Sequence, residues 1–464
     1  MLGRIGVAVG VLAFSWAAQA APSTPAVPVA TAAQAALESA ANPLGPGVAA
    51  VILQGDTMLF RGAVGRANIE LGVPLYPEQT FRIASITKMF TAATVIKLAE
   101  LGKLSLDDRL STYVADVPNG DTITLRQLLN HTAGISDKTP NPQPGFMKRD
   151  VDTATLIDEI RKRTPAFAPG TQWAYSNGGY ILLGAVIEKV TGERWYAAMT
   201  KLLLEPAQLR QISYGDNAAV IPGRVAGYST DEATHQVNNA SFISMSIPAA
   251  AGGLVATTDD LVRWMHALVR GQIVSAKGFQ QMITPVPAMP GVTPAHRYGM
   301  GMYLWRLRGS EMIGHTGQID GFASALVYLP KQDVIVAVLA NNDGFDARTM
   351  SRRLAAIALG QPYATPVPAP LTDEALDALQ GSYRIDGTSV QTLTVKDHQL
   401  YAQRSGHHAV PLQWTTDQRL VFVPDELSYF VPVRDASGKV TRLDYFEGGD
   451  APALRLPRVS ETGH

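Results

Sequence analysis

A serine three residues ahead of a lysine, Ser85-Ile86-Thr87-Lys88, is the first arrangement in this chain whose residue types could do chemistry. A helix starting at the serine puts Lys88 one turn further along the same face and the serine hydroxyl near the helix N-terminus. A serine hydroxyl is a weak nucleophile until a base takes its proton, and a lysine can serve if burial makes its neutral amine accessible. The spacing alone says little: at ordinary composition it arises roughly once by chance in a chain of this length. A helix cap followed by a surface lysine would read the same way. Two further runs change that balance, Tyr175-Ser176-Asn177 just ahead of an expected helix and His315-Thr316-Gly317 on an expected edge strand.

Taken in order, S-x-x-K, Y-x-N and H-T-G resemble the serine β-lactamase-like superfamily of class C β-lactamases, D-alanyl-D-alanine carboxypeptidases, D-aminopeptidases and esterases. The resemblance spans roughly residues 47–359. It extends to Leu128-Leu129-Asn130-His131-Thr132-Ala133-Gly134-Ile135 and Ala251-Gly252-Gly253-Leu254-Val255-Ala256-Thr257, which are similar to segments recurring there. The S-D-N run that accompanies S-x-x-K in class A enzymes is absent, and a tyrosine motif stands in its place.

The resemblance implies Ser85 as nucleophile, Lys88 as its base and Tyr175 as a phenol or phenolate sharing protons with both. It implies Asn177, His315, Thr316 and Gly317 as substrate-binding residues, with Gly317 letting substrate lie along the strand. The backbone N–H groups of Ser85 and Gln318 then form the oxyanion hole, each donor worth about 3 to 4 kcal/mol. A cationic neighbour such as Lys88 favours the ionised form of Tyr175. β-Lactamases of this group usually carry lysine where this chain has His315, a weaker and pH-dependent cation. Histidine there is similar to the carboxypeptidase, D-aminopeptidase and esterase members.

These residues need elements to hold them. Residues 47–54 and 57–67 are apolar-rich runs joined by Gly55-Asp56, a hairpin signal. A helix is expected from Ser85 to Leu101 with Gly102 as its stop, and others at about 125–130, 153–163, 179–190 and 258–269. Strand-like runs follow at 298–305, 311–316, 323–329 and 334–340, then a helix at 347–359. A sheet assembled from both ends of this region around a helical block is an α/β fold: a β-lactamase/DD-peptidase-like antiparallel sheet flanked by helices, plus an all-helical subdomain. Four prolines in residues 361–370 mark a boundary. Beyond it, about eight short strands predict a small antiparallel barrel or sandwich, with Trp414, Phe422, Tyr429, Phe430, Tyr445 and Phe446 in its core. The expected organisation is a signal peptide (1–20), a linker (21–30), a serine hydrolase domain (31–360), a Pro-rich linker (361–370) and a C-terminal β domain (371–458).

Composition bounds the rest. The 464 residues carry 39 basic and 40 acidic side chains, a net charge of −1 without the positive excess of a nucleic-acid binder. Arg4, the apolar run from Ile5 to Trp16 and Ala18-Gln19-Ala20 read as a cleavable export signal, too short for the about 20 apolar residues of a membrane span. The product is expected to be periplasmic or secreted, with no stable membrane anchor. With no cysteine there are no disulfides, and neither His407-His408 nor the other histidines show metal-ligand spacing. The expected protein uses no metal or cofactor and takes a small-molecule or peptide substrate. It cleaves an amide or ester through an acyl-Ser85 intermediate, as a D-alanyl-D-alanine carboxypeptidase or D-aminopeptidase-like peptidase or an esterase. Class C-type β-lactamase activity is the alternative, and a non-catalytic penicillin- or peptidoglycan-binding protein is the opposing class. The β domain resembles those that line the cleft or make homo-oligomer contacts in some members.

Overall fold

Apolar strands from the two ends of the hydrolase region zip into one antiparallel sheet. The computed structural model describes residues 27–138, 144–231, 234, 236–292, 297–386, 389–423, 425–450 and 452–459. The expected signal segment and residues 21–26 of the linker lie outside them. The main sheet consists of β1 (Val48–Gln54), β2 (Thr57–Val64), β3 (Arg297–Tyr298), β4 (Tyr303–Leu307), β5 (Ser310–Ile319), β6 (Phe322–Leu329) and β7 (Val334–Ala340). Their order is β3-β4-β5-β6-β7-β1-β2. The register of β1 against β7 runs from Val48 opposite Ala340 to Gln54 opposite Val334, so the early hairpin joins the late strands and forms one edge of the sheet.

Both faces of the sheet are covered. Val334, Val336 and Val338 face a layer made by α1 (Val29–Ala40) and, at the other end of the region, the helix Ala347–Ala358. Ile335, Ala337 and Leu339 face the helical block. Two-sided burial is why β7 reads as an unbroken apolar run rather than as an alternation. At the heart of the helical block lies α2 (Thr87–Glu100), buried on nearly every side. It ends where expected: Gly102, at φ 66°, donates to Ala99 O at 3.0 Å and Lys103 donates to Leu98 O at 3.0 Å, a Schellman close. The second helix of the site, α3 (Asn177–Thr191), is capped by Ser176, whose Oγ accepts from Gly179 N–H at 3.1 Å.

Two expectations need correction here. The run 298–305 is not one strand: β3 and β4 form a tight hairpin, with Gly301 at φ 78° in the connection. Nor is the strand carrying His315-Thr316-Gly317 an edge strand, because β5 lies between β4 and β6. Its pairing with β4 stops at Gly314, however. From His315 onward, among the described residues, that flank of β5 has no strand beside it.

The C-terminal strands, from Gly381–Arg384 to Leu454–Pro457, pair in consecutive antiparallel order. Tyr383 bridges to Arg458, and Val459 N–H donates to Ser382 O at 2.8 Å, so first and last strands meet in a nearly closed barrel rather than a sandwich. Phe430 sits in its core, with Trp414, Phe422 and Tyr445 half-buried around it. Tyr429 and Phe446, one residue out of phase with those core positions, stack on each other outside the core at 4.9 Å.

The barrel is clamped to the body by α4, the helix Ala347–Ala358. The buried guanidinium of Arg352 donates to Gly448 O (2.9 Å), Arg306 O (2.8 Å) and the Asp450 carboxylate (3.2 Å). Arg348 pairs with Glu447 at 2.7 Å, Thr349 donates to Asp425 at 3.0 Å, and Arg353 pairs with Glu426. No helix among the described residues is long and apolar enough to cross a membrane. Replacing Arg352 by Met leaves two carbonyls without their donor and the Asp450 carboxylate with only the Tyr363 hydroxyl, so urea unfolding is expected to show a loss of about 3 kcal/mol. Arg353→Met, which breaks a more exposed pair, is expected to cost under about 1 kcal/mol in the same measurement.

Candidate active site

The nucleophile candidate sits at a bend. Ala84–Ile86 is a single 3-10 turn leading into α2, so the α-helix proper starts at Thr87, two residues later than the sequence suggests. Ala84 takes φ 46°, a left-handed conformation unusual for a residue with a side chain. The turn is gripped from several sides. Ile83 N–H donates to Leu254 O at 3.1 Å, Ser324 Oγ donates to Ile83 O at 2.9 Å, and Thr87 Oγ1 accepts from Leu254 N–H at 3.2 Å. The Ala251-to-Thr257 phrase thus buttresses the serine turn. Gly317 presses against it from the strand: a Cβ there would lie 2.4 Å from Ile83 O and 2.9 Å from Ser85 N. The missing side chain serves first to let β5 approach the nucleophile.

Lys88 is fully buried, and its Nζ has three partners: Ser85 Oγ at 3.0 Å, Asn177 Oδ1 at 2.8 Å and Ala251 O at 2.7 Å. An amide oxygen and a backbone carbonyl can only accept. A neutral amine therefore spends its two N–H groups on them and turns its lone pair toward the serine hydroxyl. Burial pushes the Lys88 amine down to about 7, against a smaller upward pull from Asp137. Its cage is aromatic, with Nζ 4.7 Å from the Tyr175 ring centroid and 5.6 Å from that of Tyr180.

Burial holds the Tyr175 phenol well above the ordinary range, with Ser85 beside it pulling more weakly the other way. The same desolvation that penalises a phenolate also weakens the charge of the lysine, so burial works against the ionised Tyr175 that a cationic neighbour would favour.

His315 lies 1% exposed beneath the cleft floor. Its Nδ1–H donates to Thr316 O at 2.5 Å, leaving Nε2 to accept from the Tyr298 hydroxyl at 3.1 Å. Burial, followed by the nearby Lys88, pushes it down to about 3, so at neutral pH it is not a cation. Thr316 and Gln318 line the cleft, and the Gln318 side chain donates to Asp343 O at 2.8 Å.

Several residues of the site were not singled out from the sequence. His131, inside the Leu128-to-Ile135 phrase, accepts from Ser176 N–H at 3.1 Å and packs on the Tyr175 ring at 4.5 Å. Tyr180, Tyr298 and Tyr303 complete the aromatic cage, and Asp137 holds the start of α3. Two cavities open from Ser85 and Gln318. One, of about 460 Å³, has an apolar wall that includes Phe146, Met147, Leu156, Ile181 and Ile247. The other, of about 640 Å³, reaches Asp343, Asp346 and Arg348 and is closed by Asp425 from the barrel.

An antiparallel sheet covered on both faces, with a Ser–Lys–Tyr–Asn cluster between its β5 strand and a helical block, defines a β-lactamase-like hydrolase. The Beta-lactamase family model matches residues 38–359, and the chain belongs to that family. Protein flp of Staphylococcus aureus is 28% identical over 306 residues, 64% of this chain but only 59% of that protein, so the match falls short of two thirds of that relative's length. Penicillin-binding protein 4* of Bacillus subtilis is 25% identical over 398 residues, 79% of this chain and 85% of that protein. A D-stereospecific amidohydrolase from a Streptomyces species superimposes with a TM-score of 0.61 at 30% identity, covering 69% of this chain and 96% of that one.

The Lys88 environment sets a pH dependence. Below about 7 the amine is charged and has no lone pair for Ser85; above it, the lone pair is free. The rate of Ser85 modification by a fluorophosphonate is expected to rise about tenfold per pH unit below that point and level off above it. A flat profile between pH 5 and 9 contradicts this.

Proposed function

We propose that this protein is a serine amidohydrolase that forms an acyl-Ser85 intermediate and acts on substrates with a free amino group, such as D-amino-acid amides and short peptides beginning with a D-residue. The observation that carries the chemistry is the buried Lys88 Nζ, 3.0 Å from Ser85 Oγ and held by the acceptors Asn177 Oδ1 and Ala251 O, so that the neutral amine directs its lone pair at the serine. Ser85 Oγ attacks the substrate carbonyl carbon while its proton passes to Lys88 Nζ. The oxyanion is received by the N–H groups of Ser85 and Gln318. Tyr175, protonated, gives its proton to the departing nitrogen as the C–N bond breaks, and recovers one from the Lys88 ammonium. Water then repeats the sequence on the acyl-serine. Thr316 and Gly317 align the substrate backbone, and Asn177 holds the base.

The substrate class rests on charge. The two cavities are lined by Asp137, Glu159, Asp320, Asp343, Asp346 and Asp425 against only Arg163 and Arg348. Both arginines have carboxylate neighbours, Asp137 at 3.8 Å and Glu447 at 2.7 Å. With His315 neutral, this lining favours an ammonium and opposes the carboxylate that a D-alanyl-D-alanine carboxypeptidase or a β-lactamase must accept. The apolar wall around Ile181 and Ile247 suits a bulky side chain, and the D-preference is carried by the likeness to the amidohydrolase.

D-Phenylalanine amide and its N-acetyl derivative separate the readings. The free amine is expected to have a kcat/KM at least about tenfold higher, corresponding to about 1.4 kcal/mol. Preference for the acetylated amide, or for N-acyl-D-alanyl-D-alanine, overturns the substrate assignment. Ser85→Ala is expected to lose activity by about a thousandfold or more, and retention of turnover overturns the acyl-serine mechanism.

A further inference from the structure

Asp137, in the loop after the Leu128-to-Ile135 phrase, makes four contacts with the start of α3. Its Oδ2 accepts from the Asn177 backbone N–H at 2.7 Å and from Asn177 Nδ2 at 3.2 Å. Its Oδ1 accepts from Gly178 N–H at 2.9 Å and from the Ser176 hydroxyl at 3.0 Å. A carboxylate only accepts, so the nitrogen end of the Asn177 amide must face it. The oxygen end is thereby turned to Lys88 Nζ, 2.8 Å away. Were the amide reversed, its NH₂ would compete with Ser85 for the amine's lone pair, and one amine N–H would lose its acceptor. The α3 terminus already has its own cap in Ser176 Oγ, so a second acidic cap is not what the helix lacks.

We propose that Asp137 is a positioning residue for acyl transfer: by holding the Asn177 amide in one orientation it aims the lone pair of Lys88 at Ser85. This rests on the reading of Ser85 and Lys88 as nucleophile and base. The groups facing Lys88 are Ser85, Asn177 and Ala251 O, the rings of Tyr175 and Tyr180, and the neutral histidines His131 and His315. Asp137 is the carboxylate whose charge acts on the amine, with Arg163 lying 3.8 Å behind it. Removing that charge takes away the one upward pull on Lys88, so the pH at which the amine discharges moves down.

The test is the pH profile of Ser85 phosphonylation by a fluorophosphonate in the full chain, for wild type, Asp137→Asn and Ser275→Ala. Asp137→Asn is expected to shift the acid limb downward by about 0.5 pH unit or more and to lower the plateau rate about tenfold. Ser275→Ala, which removes the N-cap of the helix Ala276–Met282 without touching Asp137, is expected to lower the melting temperature with the limb in place. An Asp137→Asn protein with limb and plateau unchanged, or one that loses only thermal stability, overturns the positioning role. A wild type without Ser85-dependent modification overturns the serine-hydrolase reading itself and the role of Asp137 with it. Should Asp137→Asn fail to fold, Asp137→Glu, which keeps the charge, takes its place: a limb near that of wild type with a reduced plateau supports the assignment, and an unaltered plateau removes it.

Discussion

Everything in this molecule that bears on chemistry depends on keeping one amine dry. Holding the Lys88 ammonium in its buried cage rather than in water costs on the order of 5 kcal/mol, judged from its displacement from 10.5 to about 7. The fold supplies two obligate acceptors, Asn177 Oδ1 and Ala251 O, but no carboxylate in direct contact. A carboxylate at hydrogen-bond distance would have fixed the proton on the lysine. Acceptors without charge satisfy the amine and still leave it free to give the proton up. The same balance explains the aromatic wall of Tyr175, Tyr180 and Tyr298, which excludes water while presenting ring faces.

Burial of this kind has to be built from long-range contacts, and the sheet topology provides them. Because β1 pairs with β7, the chain's early and late segments share one sheet on either side of the helical block in the sequence. That block then brings the serine turn, the start of α3 and the Ala251 carbonyl to one point from segments about 90 to 160 residues apart. The barrel, gripped by Arg348, Arg352 and Arg353 of α4, adds Asp425 to the rim of the cleft. The wall it contributes is as fixed as those arginines make it.

Residue spacing made part of this legible. The i, i+3 relation of Ser85 and Lys88 survives the change from an α-helix start to a 3-10 turn, because both conformations bring third neighbours to the same side. The Gly55-Asp56 hairpin and the apolar run of β7 are local patterns, and the α/β class with a C-terminal barrel follows from their succession. Charge states were not legible, since they depend on burial that no spacing encodes: a cationic Lys88 beside Tyr175 favours a phenolate, whereas desolvation pushes the phenol up and the amine down. Asp137 gave no signal either. It is a single acidic residue in a loop, and its partner Asn177 lies 40 positions away. The aromatic cage draws on several separate elements, so no window of sequence contains it.

The half-paired flank of β5 has a consequence for the protein's life in a crowded solution. Unsatisfied strand edges invite another chain to add to the sheet, and proteins generally blunt them with charge, proline or bulges. Here the open stretch beyond Gly314 lies inside the sheet's span, behind β4 and against the serine turn that Gly317 lets in so closely. The serine turn, so close that a Cβ at Gly317 would meet Ser85 N at 2.9 Å, crowds the place a pairing strand would need, while the flank still opens on a cavity of about 640 Å³. The cleft thus doubles as a guard, letting backbone hydrogen-bonding groups stay available without becoming a nucleus for aggregation.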